Sequence, residues 1–209
     1  MGNGDGTALE RIVVNGFTAR AATSTQIPGA RALMLRTFKE DFGYGVPADH
    51  HDDVSDLRGS YVDAPHARLF VAVDDASGEV IATAAVHPWE RRHPLHPDWL
   101  HERYQTQRAA ELTRVYTARE HRRRGAARAL VELARRWVIA DGTYVILMLH
   151  TNAGIPGAEP FWRSLATEVL DSRPTLRNTV HFELPLDRAI DVATAREGQD
   201  TDEPQSSSA

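Results

Sequence analysis

Residues 111–137 read Glu-Leu-Thr-Arg-Val-Tyr-Thr-Ala-Arg-Glu-His-Arg-Arg-Arg-Gly-Ala-Ala-Arg-Ala-Leu-Val-Glu-Leu-Ala-Arg-Arg-Trp. Leu112 to Thr117 is short, β-branched and aromatic, which predicts a strand. The far end predicts a helix. Leu130, Leu133, Ala134 and Trp137 fall at i, i+3, i+4 and i+7, so one apolar stripe faces a core. Arg128 and Glu132, four apart, are expected on the opposite face as a supporting ion pair.

Between strand and helix lies His121-Arg122-Arg123-Arg124-Gly125-Ala126-Ala127. A helix N-terminus offers unpaired N–H groups and the positive end of the helix dipole, a combination suited to an anion such as a pyrophosphate. Gly125, Ala126 and Ala127 let a phosphate approach the backbone, and the arginines add charge. Local charge alone equally allows a solvated arginine face leading into an ordinary amphipathic helix.

Arg122-Arg123-Arg124-Gly125-Ala126-Ala127 resembles the Arg/Gln-x-x-Gly-x-Gly/Ala signature of the GNAT superfamily of N-acetyltransferases. The order strand, helix, strands, helix, strand, helix, strands over residues 10–187 is similar as well. The resemblance implies a single α/β (α+β) domain. Its central mixed sheet would have about seven strands flanked by helices, with the central parallel strands splayed. It implies acetyl-CoA, or another acyl-CoA, as co-substrate. The pantetheine arm would lie along the backbone of Val115, Tyr116 and Thr117. The phosphates would be held by Arg122, Arg123, Arg124, Gly125, Ala126, Ala127 and Arg128, with Asn152 near the pantetheine.

Composition fits a soluble globular chain. Of the 209 residues, 42% are hydrophobic and 25% charged, enough to bury a core in one domain. No apolar run reaches a membrane span and no signal peptide is legible, so a cytoplasmic protein is expected. The absence of cysteine excludes thiolate nucleophiles and cysteine-ligated zinc. Net charge is −5, yet Ala118 to Trp137 carries seven arginines against two glutamates. One basic patch on an acidic chain argues against broad nucleic-acid binding and suits a compact anion.

Along the chain, 1–9 and 188–209 are expected to be disordered. Val13 to Thr23 predicts a first strand. Pro28, Ala30, Leu33, Met34 and Phe38 predict a helix. Val46 to Tyr61, with Asp49, His50, His51, Asp52, Asp53 and Asp56, reads as a hydrated loop in preference to a metal site, since adjacent His-His and Asp-Asp pairs cannot all converge on one ion. The resemblance implies that it borders the acceptor groove, where its acids would favour a cationic amine. Arg68 to Asp75 and Val80 to Val86 form a hairpin turning at Gly78. Residues 88–110 read as an insertion whose exposed Trp and Tyr would cover the substrate groove or meet a second subunit. Its His93 and His96 are separated by Pro94, so no metal is expected. Tyr144 to His150 predicts a buried strand and Ala158 to Leu165 a helix. Glu168 to Asp171 and Thr179 to Pro185 complete the sheet.

Acyl transfer to an amine requires a proton acceptor, polarisation of the thioester carbonyl and an exit for the thiolate. The resemblance implies Glu111 as base, since it precedes Arg122 by the interval of the strand glutamate serving some relatives. Alternation places Glu111 and Arg114 on opposite faces of the strand. Many relatives carry a tyrosine in Ala-x-x-Phe-Tyr; here Ala158-Glu-Pro-Phe161-Trp162 offers only an indole N–H. Tyr116 or Ser164 then becomes the acid, or thiolate departs unaided.

The reading is an acetyl-CoA-dependent N-acetyltransferase acting on a small-molecule amine, with a homodimer expected from family habit. The alternatives are an acyl-CoA-binding regulatory module with altered catalysis, an acyltransferase using a protein N-terminus or lysine, and a nucleic-acid-binding regulator using the arginine helix.

Overall fold

A computed structural model describes residues 11–14, 16–43, 51–89, 96–105, 107–173, 178–187 and 189–190. The sequence expectations for 1–9, for Asp49, His50 and His93, and for nearly all of 188–209 lie outside these residues.

Eight strands form one sheet: β1 (Ile12–Val14), β2 (Phe17–Ala21), β3 (Arg68–Asp74), β4 (Val80–Pro88), β5 (Ala109–Thr117), β6 (Ile146–Asn152), β7 (Thr167–Asp171) and β8 (Thr179–Leu184). Their spatial order is β1-β2-β3-β4-β5-β6-β8-β7. The single first strand expected from sequence is two, because Gly16 (φ 78°) turns the chain between them. β8 lies inside the sheet and β7 forms its edge.

Every pairing is antiparallel except β5–β6, which is parallel and spans only Ala109↔Ile146, Ala110↔Leu147 and Glu111↔Met148. Beyond Glu111 the two strands part. This is the splayed pair that the resemblance implied, and it leaves the β6-facing edge of Thr113–Thr117 without a strand partner.

Among the described residues, five α-helices accompany the sheet. They are α1 (Ile27–Glu40), α2 (Asp52–Ser55), α3 (Asp98–Gln105), α4 (Ala126–Asp141) and α5 (Ala158–Arg163). Pro28 sits in the first turn of α1, where its missing N–H costs nothing. The stripe Leu130, Leu133, Ala134 and Trp137 of α4 is buried against Phe70, Leu112, Leu149 and Phe182. Removing one such leucine side chain costs about 2–5 kcal/mol. On the other face, Ala30, Met34 and Phe38 of α1 pack with Val54, Leu57 and Tyr61. Beside them α3 contributes Leu100 and Tyr104, which meet Trp89 and Met148. No helix among the described residues is long and apolar enough to cross a membrane.

Three local expectations are corrected. Arg128 and Glu132 do not pair: Glu132 is fully buried and accepts from Arg135 (2.8 and 2.9 Å), Arg136 (2.7 Å) and the Ile190 N–H (3.0 Å). The tail thus supplies a donor that helical spacing cannot reveal. Residues 51–62 are not a hydrated loop, since Val54, Leu57 and Tyr61 anchor α2 and a π-helical turn, Arg58–Val62. Trp89 and Tyr104 are buried rather than exposed. Tyr104 donates to Glu183 at 2.6 Å, and only Trp99 of this group stands in solvent.

Candidate active site around the parting strands

β5 carries one extra residue relative to β4. The register passes from Thr83↔Tyr116 to Ala85↔Thr113, and within this bulge Arg114 has φ 55°. Thr83 holds the bulge by donating its hydroxyl to the Arg114 carbonyl at 2.8 Å.

The bulge breaks the alternation assumed from sequence. Glu111 pairs with His87, whose ring lies 6.4 Å from that of Tyr61. Tyr61 donates to Asp53 at 2.6 Å, and Asp53 accepts two hydrogen bonds from Arg114. Glu111 and Arg114 therefore share one face of the sheet, contrary to expectation.

Glu111 is 6% exposed. Its Oε1 lies 2.9 Å from His150 Nδ1 and 3.7 Å from His96 Nε2, while Oε2 lies 3.6 Å from His87 Nε2. Burial pushes the carboxyl upward, but the His150 hydrogen bond and the charges of His150, His87 and His96 outweigh it. The group is held well below the ordinary range and is a carboxylate at neutral pH. The donor atoms of His96, Glu111 and His150 all lie within 4.8 Å of one another, a grouping with metal-ligand character. His181, paired with His150 across β6–β8, is buried beside them, its ring 5.4 Å from His96.

Sequence reasoning identified Glu111 and missed these histidines. His150 carried a signal, being the one imidazole closing the apolar run Tyr144–His150. His87 and His96 carried none, because chain separation hides their convergence.

At the other end of β5 the chain makes a 3₁₀ turn, Arg119–His121, and enters α4 through Gly125 (φ 86°, ψ 0°). No side chain caps this helix start and no acid occupies its first turn. Its leading N–H groups and dipole form an anion seat. Arg122 ties the loop to β5 by donating to the Thr117 carbonyl at 3.2 Å and also pairs with Asp41. Arg119 meets Asp41 at 2.7 Å, and Arg124 meets His121 Nδ1 at 2.6 Å and Asp74 at 3.5 Å. Arg128 donates to Ser164 at 3.2 Å. Among the described residues Arg123, at φ 64°, has no ion pair. Much of the arginine charge is thus engaged within the protein.

Val115 packs toward α4, whereas Tyr116 stands edge-on to Phe38 (5.9 Å) and Phe42 (5.7 Å) on the α1 side. Asn152 turns its Oδ1 back to the Gly154 N–H at 2.8 Å. Trp162 is 6% exposed within the core and edge-on to Phe161. Ser164 donates its hydroxyl to the Phe161 carbonyl at 2.6 Å, which engages the proton an acid would deliver.

The anticipated acidic wall is also partly internal. Asp53 is spent on Arg114 and Tyr61, and Asp56 accepts from the Gly59 N–H at 2.9 Å. Asp52 and Asp56 stay exposed.

Comparison with known proteins gives a consistent picture. Residues 31–166 match the Acetyltransferase (GNAT) family. Among curated protein sequences, none matches this chain. The fold is similar to a GNAT-family acetyltransferase from Staphylococcus aureus Mu50, at 12% identity and TM-score 0.61, covering 81% of this chain and 99% of that one. It is similar to an N-acyl amino acid synthase from uncultured soil microbes, at 16% identity and TM-score 0.57, covering 83% and 94%. Spermidine N-acetyltransferase from Vibrio cholerae, solved with CoA and spermine, is similar at 16% identity and TM-score 0.52, covering 81% of this chain and 94% of that one.

Proposed function

Because the chain belongs to the GNAT family of acetyltransferases, we propose that it transfers an acyl group from acetyl-CoA or another acyl-CoA to the amine of a small molecule, by direct attack in a ternary complex. The carrying observation is the uncapped start of α4 at Gly125, placed where β5 has parted from β6. The pyrophosphate sits on the N–H groups of that helix start, aided by Arg123 and the flanking arginines. The pantetheine arm runs along Val115, Tyr116 and Thr117, using backbone groups that no strand engages. Asn152 and Trp162 lie in the elements bordering the same slot.

The amine nitrogen attacks the thioester carbon. A C–N bond forms, the C–S bond breaks and the electron pair leaves on sulfur. An imidazole beside Glu111 receives the amine proton, while the buried carboxylate orients His150 and stabilises the imidazolium that forms. Tyr116 is the remaining candidate for protonating the thiolate. The acidic residues Asp52 and Asp56 favour a cationic acceptor, and the cytoplasm and a homodimer remain part of this reading.

Trp162 supports a second reading, a module that holds acyl-CoA without ordinary turnover, since its indole replaces the family's hydroxyl. Thermal unfolding with acetyl-CoA, CoA and longer acyl-CoAs, followed by thiol release against an amine panel, separates the two. Stabilisation with CoA release supports the enzyme. Stabilisation without release across the panel supports the module. No stabilisation by any acyl-CoA overturns both.

A further inference from the structure

We propose that His96, Glu111 and His150 form a binding site for a borderline divalent transition-metal ion of the zinc class. The three donor atoms, His96 Nε2, Glu111 Oε1 and His150 Nδ1, are separated by 3.2, 3.7 and 2.9 Å. Ligands about 2.0–2.1 Å from a zinc ion at the tetrahedral angle stand about 3.3 Å apart. The observed triangle brackets that edge, so an ion fits at its centre with little movement.

Hydrogen bonding alone serves this triangle poorly. A ring nitrogen has one in-plane direction, occupied by either one proton or one lone pair. His150 Nδ1 nevertheless approaches both the Glu111 carboxylate and His96 Nε2. With a proton it donates to Glu111 and leaves the close approach of His96 Nε2 without that hydrogen. With a lone pair it faces the carboxylate acceptor to acceptor. A cation at the centre meets all three lone pairs at once and neutralises a carboxylate that is otherwise buried.

The frame is built to hold this arrangement. Glu111 comes from β5 and His150 from the adjoining strand β6, while His96 enters from the segment preceding α3. Trp89 stacks on the His96 ring at 4.4 Å and 24°, fixing its plane. Two imidazoles and one carboxylate suit Zn²⁺ and leave a fourth position for water or a substrate donor, as in exchangeable rather than closed sites. The His150 side chain, 20% exposed, marks the side open to solvent. The metal-free expectation weighed His96 with its sequence neighbour His93, and separately the His and Asp residues of 46–61. Strand pairing supplies the partners that local spacing did not contain.

The test uses tag-free, full-length protein freed of metal with a chelator, with Zn²⁺ and Co²⁺ as probes. Calorimetry is expected to show one Zn²⁺ per chain. Co²⁺ is expected to give visible absorption of four-coordinate intensity that Zn²⁺ abolishes. His96→Ala, Glu111→Gln and His150→Ala are each expected to weaken Zn²⁺ binding by about 100-fold or more, at or beyond the cost of losing an outer-shell partner. His66→Ala, at an exposed histidine paired with Asp141, retains full affinity. Circular dichroism verifies that each variant folds. If one does not, X-ray absorption on the native protein counts two imidazoles and one carboxylate or overturns the assignment. Absence of stoichiometric uptake by native protein, or undiminished uptake in any of the three folded variants, overturns it as well. No acyl-CoA or amine is present, so the measurement is independent of the acyl-transfer reading. With the ion bound, the lone pairs of Glu111 Oε1 and His150 Nδ1 are occupied, so their proton handling belongs to the metal-free state.

Discussion

Arg114 and Asp53 are joined by two hydrogen bonds, of 2.9 Å from Nε and 2.6 Å from the terminal nitrogen, across 61 positions of sequence. The pair pins the β5 bulge to the α2 segment and passes through Tyr61 toward His87. It links the scaffold under α1 to the neighbourhood of Glu111.

That pair sets a pH dependence. Burial pushes Asp53 upward, but the Arg114 hydrogen bond and charge and the Tyr61 hydroxyl overcome it, leaving the carboxyl below its ordinary value. A depressed carboxyl contributes stability that is fully present above its unfolded pKa of about 3.9 and is lost as pH falls through the lower folded value. Thermal unfolding of native protein and Asp53→Asn from pH 7 to 3 is expected to show the variant less stable at neutrality. The two curves should converge below about pH 4. A constant gap across the series refutes this.

Glu111→Gln keeps the shape of the site and removes its charge. Thiol release is expected to fall by about 10²–10⁴-fold, mainly in kcat, while stabilisation by acyl-CoA persists. An unchanged kcat removes Glu111 from the chemistry.

Tyr116→Phe tests the exit of the thiolate. If the hydroxyl protonates sulfur, kcat drops by about 100-fold with KM little altered. Equal turnover in the variant means that thiolate leaves without a protein acid.

Gly125→Ala places a Cβ on a residue at φ 86°. The left-handed backbone costs about 1–2 kcal/mol for a residue with a side chain, and the helix start shifts. Lower Tm together with a raised KM for acyl-CoA is expected. A lowered Tm with unchanged KM places the phosphates elsewhere.

Glu132→Ala leaves Arg135 buried beside a void. Breaking a buried pair from one side costs about 3–5 kcal/mol, readable as a lower urea midpoint. A shift of under about 1 kcal/mol, the range of exposed pairs, marks the cluster as solvent-screened.

What was legible in sequence followed from periodicity. The α4 stripe from Leu130 to Trp137, the α1 stripe from Ala30 to Phe38 and the hairpin at Gly78 repeat over several residues, so each announces its own geometry. The bulge at Arg114 did not, because one extra residue inverts the faces of a strand without altering its composition. Ala109 and Ala110 were assigned to the insertion since alanine favours strands weakly, and pairing with β4 and β6 overrode that preference. The histidines around Glu111 lie far apart along the chain, and only the order of strands brings them together. Glu132 was placed in solvent because helical spacing does not foresee that a distant backbone amide, at Ile190, will cover it.

The brevity of the β5–β6 ladder has a mechanical consequence. β1–β5 with α4 form one leaf of the molecule, and β6, β8 and β7 with α5 form the other. Three residue pairs, shared side-chain packing and the side-chain contacts Glu111–His150 and Arg128–Ser164 are the seam between them. An elongated ligand in the open part of that seam behaves as a splint, stiffening the joint along a length the chain itself leaves unstitched. On the proposed function, rigidity would be partly borrowed from the bound acyl-CoA and would soften on its release.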